Sequence, residues 1–184
     1  LIVSDHGSGG TGERLAYLNR WLAEEGWLSF APVSAGGRAM ARLKRFGLVL
    51  PVPLQEWAFR GPLRHAVSRV ESSARLRGIA WQGTRAFSEE VNTLPAIWLN
   101  VRGRDPQGVV SPGAEYERLV AEILTRVTGW RNRSTGQKVI SRAWPREELY
   151  RGVAVEFAPD IVLDPALDRG YSYTFLSSEG RPGP

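Results

Sequence analysis

The sequence predicts an α/β fold with a mostly parallel sheet and flanking helices. The chain opens with an uninterrupted apolar run, Leu1-Ile-Val3, which is typical of a strand buried inside a parallel sheet. A glycine-rich stretch over 7–12 and an amphipathic helical pattern over 13–25 follow it. Strand-like and helix-like segments continue to alternate along the chain, and this alternation indicates an α/β architecture.

A polar pair, Asp5 and His6, follows the first predicted strand directly. Ligands of open α/β sheets bind at the carboxyl ends of the strands, and carboxylate and neutral imidazole groups both bind zinc well. Adjacent side chains of an extended strand point to opposite faces, so the pair converges on one ion only if the chain turns there, which the glycines permit. From these residues alone, a metal site and a helix-capping Asp beside a solvated His both remain open.

The same glycines allow a second interpretation. Gly7, Gly9 and Gly12 satisfy the dinucleotide-binding pattern G-x-G-x-x-G between a strand and a helix. That pattern expects an acidic residue about 20 positions further on, and the region 27–33 contains none. A non-catalytic or dinucleotide-binding α/β module that uses the Gly7–Gly12 turn is therefore the alternative.

The first half of the chain predicts one helix and one less regular region. Leu15, Leu18 and Leu22 form the apolar stripe of a helix over 13–25, whose amino end should face the Asp5–His6 loop and favour an anion such as phosphate. Prolines and glycines break the region of about 31–78 into short pieces. We interpret that region as a helical insertion that caps one edge of the sheet, with helices over 38–46 and 63–76 and with His65 at the surface.

The second half predicts a clearer succession of elements. Residues 79–87 and 94–101 should be extended, with Ala96–Leu99 as a buried strand. In the turn-rich loop 102–108, Arg102, Arg104 and the preceding Asn100 are expected to shape the loop rather than bind substrate. Further along, the sequence predicts a helix from 111 that Gly129 ends, an edge strand over 139–144, a helical turn over 146–151, a buried strand over 161–163 and an alternating strand over 171–175.

Composition limits the functions that the chain can have. With 42% hydrophobic and 23% charged residues it is globular, and without cysteine it has no disulfides or thiolate metal sites. The basic residues are 22 Arg and two Lys, for a net charge of +5, and no basic run is interleaved with stacking aromatic residues. We therefore expect no nucleic-acid partner, and we expect no membrane segment because no apolar run approaches about 20 residues. The compartment and the oligomeric state stay open.

Five short motifs resemble, in the same order, motifs of the alkaline phosphatase superfamily, and most closely its branch of type I phosphodiesterases and nucleotide pyrophosphatases. The first, Ser4-Asp-His-Gly7, resembles the metal-binding motif of that family. The other four resemble its patterns LN-x-WL-x-x-x-G-x-L, W-x-x-T-x-A, N-x-x-GR-x-P-x-G-x-V and PD. In this chain they are Leu18-Asn-Arg-Trp-Leu-Ala-Glu-Glu-Gly-Trp-Leu28, Trp81-Gln-Gly-Thr-Arg-Ala86, Asn100-Val-Arg-Gly-Arg-Asp-Pro-Gln-Gly-Val-Val110 and Ala158-Pro-Asp-Ile161.

The resemblance implies an alkaline phosphatase-like fold and the hydrolysis of a small phosphate ester or nucleotide pyrophosphate at two divalent metal ions. Zinc is the expected metal and manganese an alternative. Asp5 and His6 would match two ligands of the ion that also holds the nucleophile. The Thr or Ser nucleophile and the other metal's ligands of that family precede this motif, and its last His ligand follows the matched region. We therefore expect residues 1–184 to be the carboxy-terminal part of one domain, incomplete at both ends and inactive alone.

Overall fold

The computed structural model describes residues 12–32, 76, 78–90 and 94–178. Within these ranges the chain forms three α-helices and four strands. In chain order they are α1 (Leu18–Glu24), β1 (Ala86–Phe87), β2 (Ala96–Leu99), α2 (Ala114–Thr128), β3 (Ile140–Pro145), α3 (Arg146–Leu149) and β4 (Ile161–Pro165). Short 3-10 turns form at Trp81–Gly83, Val155–Phe157 and Leu167–Arg169.

The four strands form one sheet in the order β1-β2-β4-β3, and every neighbouring pair is antiparallel. Ile97 of β2 lies opposite Ile161 of β4, for example. The mixed α/β character that we predicted is confirmed, but the mostly parallel sheet is not supported in the described part of the chain. An apolar run such as 96–99 reports that a strand is buried, and burial does not determine its direction.

The segment before α1 differs from the prediction. A helix was expected over 13–25, but α1 begins only at Leu18 and the preceding residues are non-helical. The Arg14 N–H donates a 2.9 Å hydrogen bond to the Gly170 carbonyl, and Arg14 forms a parallel bridge with Tyr171. This tertiary pairing replaces the first turns of the predicted helix and leaves Leu15 exposed. The strand expected over 171–175 is reduced to the same single bridge.

The extended segment expected over 79–87 is interrupted by the 3-10 turn Trp81–Gly83, and within it only Ala86–Phe87 form a strand. Most of the other elements that fall on described residues agree with the sequence. Among them, β2 has the predicted bounds, Gly129 ends α2, and β3 lies at an edge of the sheet. The helical turn α3 and the buried strand β4 also form where they were expected. The proposed insertion over about 31–78, with His65, lies almost entirely outside the described residues.

The core lies between α2 and the sheet and extends to α1. The buried face of α2 carries Leu119, Val120, Ile123 and Val127. On the other side, the Trp21 ring of α1 stacks on Trp130 with 5.1 Å between the ring centroids. This stacking joins α1 to the segment after α2. It also fixes the position of the hairpin that leads to β3, in which Arg131 pairs with Lys138. Across the described ranges, no helix is long and apolar enough to cross a membrane.

Candidate functional site

The two predicted metal ligands, Asp5 and His6, lie outside the described residues, together with Gly7 and Gly9. Their convergence on one ion therefore stays a prediction. In the part of the chain that is described, no cluster of three or more His, Asp or Glu side chains is placed to hold a metal ion. The site can be built only from the other four motifs, all of which are described.

The carboxylate of Asp160, in the last of these motifs, has no exposed surface. It lies one residue before β4. Nη1 and Nη2 of Arg104 each donate a 2.8 Å hydrogen bond to a different carboxylate oxygen, which is the bidentate geometry of a strong arginine–carboxylate pair. The Leu99 N–H donates a further hydrogen bond of 2.7 Å. Asp160 therefore ties the loop after β2 to the start of β4.

Two more side chains complete this cluster. The Tyr116 hydroxyl of α2 donates a 2.8 Å hydrogen bond to Oδ1 of Asp160, and Nη1 of Arg146 lies 3.2 Å from the same oxygen. Burial raises the pKa of Tyr116 above its usual range, and the neighbouring negative charge raises it further. Burial alone would lower the pKa of Arg104, but its hydrogen bonds to Asp160 and the attraction between their charges outweigh this, so that the pKa is raised. Tyr116 thus stays a neutral donor and Arg104 stays charged.

The role of this cluster is structural. Both oxygens of Asp160 accept hydrogen bonds from several donors, and the side chain is inaccessible to solvent. A general base or a metal ligand needs a free lone pair that faces the ligand. Asp160 could act in either role only if the surrounding network were broken. We therefore assign the cluster to bracing α2, β2 and β4 against one another.

The loop after β2 is organised by Asn100, whose side chain is almost completely buried. Its Nδ2 atom lies 2.9 Å from the carbonyl oxygens of Thr84 and Gln107 and 3.2 Å from that of Trp81. A Cβ on Gly108 would lie 2.2 Å from the Val101 carbonyl oxygen, so only glycine fits there. The loop-shaping role that we predicted for Asn100 agrees with these contacts, and so does the role of Arg104 described above. The side chain of the third expected residue, Arg102, is exposed.

The amino end of α1 is occupied by a carboxylate from this chain. Oε1 of the buried Glu90 accepts a 2.8 Å hydrogen bond from the Asn19 N–H, in the first turn of α1. The two carboxylate oxygens of Glu90 also accept hydrogen bonds from the Ser178 N–H at 2.6 Å and the Ser178 hydroxyl at 2.5 Å. The phosphate predicted at this helix end is therefore not supported, because the Glu90 carboxyl group already accepts an N–H hydrogen bond in the first turn of α1.

Gly12, the last glycine of the G-x-G-x-x-G pattern, is packed against the carboxy-terminal part of the chain. A Cβ at this position would lie 2.3 Å from the Gly170 carbonyl oxygen. In a dinucleotide fold the glycine-rich turn opens directly into a helix, whereas here α1 begins only at Leu18. This geometry does not favour the dinucleotide-binding alternative.

Three residues that hold this arrangement together were not predicted from the sequence. Tyr116 carries a usable signal, because it falls among the apolar residues of the predicted helix and a buried tyrosine hydroxyl usually needs a partner. Arg146 and Glu90 carried no usable signal. Their partners Asp160 and Asn19 lie 14 and 71 residues away in the sequence, respectively, and only the fold brings them together.

We compared the chain with protein-family profiles, with curated proteins and with solved structures, and none of the three comparisons found a match.

Proposed function

We propose that the chain is part of a metal-dependent phosphoric ester hydrolase with an alkaline phosphatase-like fold, which cleaves a phosphodiester or a nucleotide pyrophosphate. The observation that carries the proposal is the ordered set of five motifs that begins with Ser4-Asp-His-Gly7. Asp5 and His6 are assigned to one of two divalent ions, with zinc expected and manganese an alternative. Two such ions would stabilise the attacking and the leaving oxygens of the displacement.

Contacts among the motif residues support this proposal. Asn100 of the fourth motif contacts carbonyl oxygens of the third, and Arg104 of the fourth binds Asp160 of the fifth. Asn19 of the second motif exchanges two hydrogen bonds with the backbone of Ser88, just after the third. Several of the residues that carry the resemblance therefore connect the described elements to one another.

The chemistry of the predicted donor set fits a zinc or manganese ion. A carboxylate and an imidazole are both ligands that these ions accept, but a catalytic zinc normally has three protein ligands and one open position. Asp5 and His6 therefore supply part of one site. The proposal expects a Thr or Ser nucleophile and an Asp-x-x-x-His pair to be encoded upstream of Leu1, and the last His ligand to be encoded downstream of the matched region.

Calorimetric titration of residues 1–184 with zinc tests this assignment. We expect weak binding that is lost in both Asp5→Asn and His6→Gln and retained in His65→Gln, which removes the only other histidine. A parallel titration with NADH in the presence of a chelator tests the dinucleotide alternative. The proposed metal site would be refuted by zinc binding that survives Asp5→Asn and His6→Gln, and the alternative would be supported by NADH binding that Gly9→Ala abolishes.

A further inference from the structure

An open groove of about 590 Å³ lies between the hairpin that connects α2 to β3 and the 3-10 turn Leu167–Arg169. Its volume falls within the range of small-molecule binding sites. Three basic residues line it, together with two hydroxyl side chains and one carboxylate. They are Arg131, Lys138, Arg169, Thr135, Ser141 and Asp168.

The positive charge of this groove is not neutralised locally. Its one carboxylate, Asp168, lies 3.0 Å from Nε of Arg169. Within the part of the chain that the structure describes, the Arg131 side chain donates only to the Gly136 carbonyl oxygen, at 3.3 Å. No hydrogen bond or ion pair of the Lys138 side chain is found among the described residues. The groove therefore carries an excess of two positive charges.

A neighbouring groove of about 290 Å³, between α1 and Trp130, carries a smaller excess of positive charge, because two glutamates line it beside its three arginines. Two of these arginines are paired with one carboxylate of α1: Nη2 of Arg133 lies 2.9 Å from Glu24, and Nε of Arg20 lies 3.2 Å from it. The third, Arg131, also lines the larger groove. The neighbouring groove is also lined by tryptophan and tyrosine rings, whereas none of the described residues that line the larger one is aromatic. The larger groove therefore suits a compact anion and offers no surface on which a nucleobase could stack.

We propose that the larger groove is a binding site for a small oxyanion, such as a phosphate or pyrophosphate group. Arg131 and Arg169 present planar guanidinium donors, Lys138 adds a mobile point charge, and such groups form strong charge-assisted hydrogen bonds to phosphoryl oxygens. The hydroxyl of Ser141 can donate a further bond. This site goes beyond the proposed hydrolase, because its residues belong to none of the five motifs and need neither Asp5 nor His6.

Calorimetric titration of the chain with inorganic pyrophosphate tests this site. A chelator is present throughout, so that no divalent metal site contributes. We expect a dissociation constant of about 1 mM or tighter. Lys138→Gln and Arg169→Gln should each weaken binding roughly tenfold, because each removes a hydrogen bond to a charged group. Arg118→Gln, which removes an exposed arginine from α2 outside the groove, is the matched control and should leave the affinity unchanged.

Three results would overturn the oxyanion site. They are the absence of pyrophosphate binding, an equal loss of affinity in Arg118→Gln, and a short DNA duplex that binds more tightly than pyrophosphate with the same sensitivity to Lys138→Gln. Asp5→Asn separates this proposal from the hydrolase assignment. It should leave pyrophosphate affinity in the chelator unchanged, whether or not Asp5 binds a metal ion.

Discussion

Arg104 and Asp160 form a bidentate ion pair in which both guanidinium Nη atoms lie 2.8 Å from a carboxylate oxygen. The Asp160 side chain is fully buried, whereas that of Arg104 is 27% exposed. The pair therefore holds the loop after β2 against the start of β4. A buried carboxylate with this many donors is stable only while the donors remain in place, so the local fold depends on the pair.

Replacing Asp160 with Asn tests this dependence. The amide keeps the size of the carboxylate but loses the charge, and its NH₂ group faces donors instead of accepting from them. Arg104 and Arg146 then lose their buried charge partner and keep only the more exposed carboxylates of Asp105 and Glu147, respectively. We expect the free energy of unfolding, measured by urea denaturation, to fall by about 3 kcal/mol. The matched control is Asp168→Asn, whose side chain is largely exposed. Equal stability of Asp160→Asn and the control would show that the pair does not brace the fold.

Tyr116→Phe probes a single donor of the same cluster. Phenylalanine fills the same space but cannot donate the 2.8 Å hydrogen bond to Asp160. We expect a loss of about 2 kcal/mol in the free energy of unfolding, the usual cost of a hydrogen bond to a charged group. In an alkaline spectrophotometric titration of the wild-type protein, Tyr116 should ionise above the ordinary tyrosine range, because its pKa is raised. If Tyr116→Phe instead removes a phenol that titrates near pH 10, the hydroxyl is not held by the buried carboxylate.

Glu90 makes stability depend on pH. Burial raises its pKa above the ordinary value of 4.5, although the hydrogen bonds from Ser178 and Asn19 act in the opposite direction. The folded state therefore binds the proton more tightly than the unfolded state. The resulting stabilisation is complete below the ordinary pKa and is lost as the pH rises through the raised pKa.

The matched variant for this effect is Glu90→Gln, which does not titrate. We expect the stability of the wild-type protein relative to Glu90→Gln to decrease as the pH rises from about 4 to about 7, as measured by urea denaturation at each pH. A relative stability that increases over this range would mean that the folded state favours the ionised form, and that burial does not dominate at Glu90.

Gly108→Ala tests the loop after β2. The added methyl group would lie 2.2 Å from the carbonyl oxygen of Val101, and this backbone atom cannot move aside without disturbing the bridge between Val101 and Val110. We expect a loss of about 2 kcal/mol or more in the free energy of unfolding. Gly129→Ala is the control, because the nearest atom to its added methyl group lies at 3.3 Å. If the two variants are equally stable, the loop has room that the contacts around Gly108 do not show.

The sequence predicted most of the elements between 94 and 165, because each carries a strong local signal. The apolar run of β2 and the broad stripe of α2 ended by Gly129 are examples. It failed where tertiary pairing overrides periodicity. The stripe formed by Leu15, Leu18 and Leu22 predicted a longer helix. The hydrogen bond from Arg14 to Gly170 instead holds the residues before Leu18 outside α1.

The candidate site was predicted only in part, for a similar reason. Asn100 and Arg104 belong to a turn-rich loop that the sequence itself marks, so their loop-shaping role could be inferred. The anion expected at the amino end of α1 could not be identified, because Glu90 reaches Asn19 only after the chain has folded. The predicted parallel strand direction is not supported in the described sheet, because a strand that is buried on both faces shows an apolar run whichever direction its neighbours take.

The most direct test of the proposed function is metal-dependent turnover of bis-p-nitrophenyl phosphate. The assay uses this chain joined to the regions in which the proposal expects the nucleophile and the remaining metal ligands, with residues 1–184 alone as the inactive reference. We predict turnover that requires zinc or manganese, that falls by at least about a hundredfold in Asp5→Asn, and that is unchanged in His65→Gln. Wild-type turnover by Asp5→Asn, or metal-dependent turnover by residues 1–184 alone, would contradict the account.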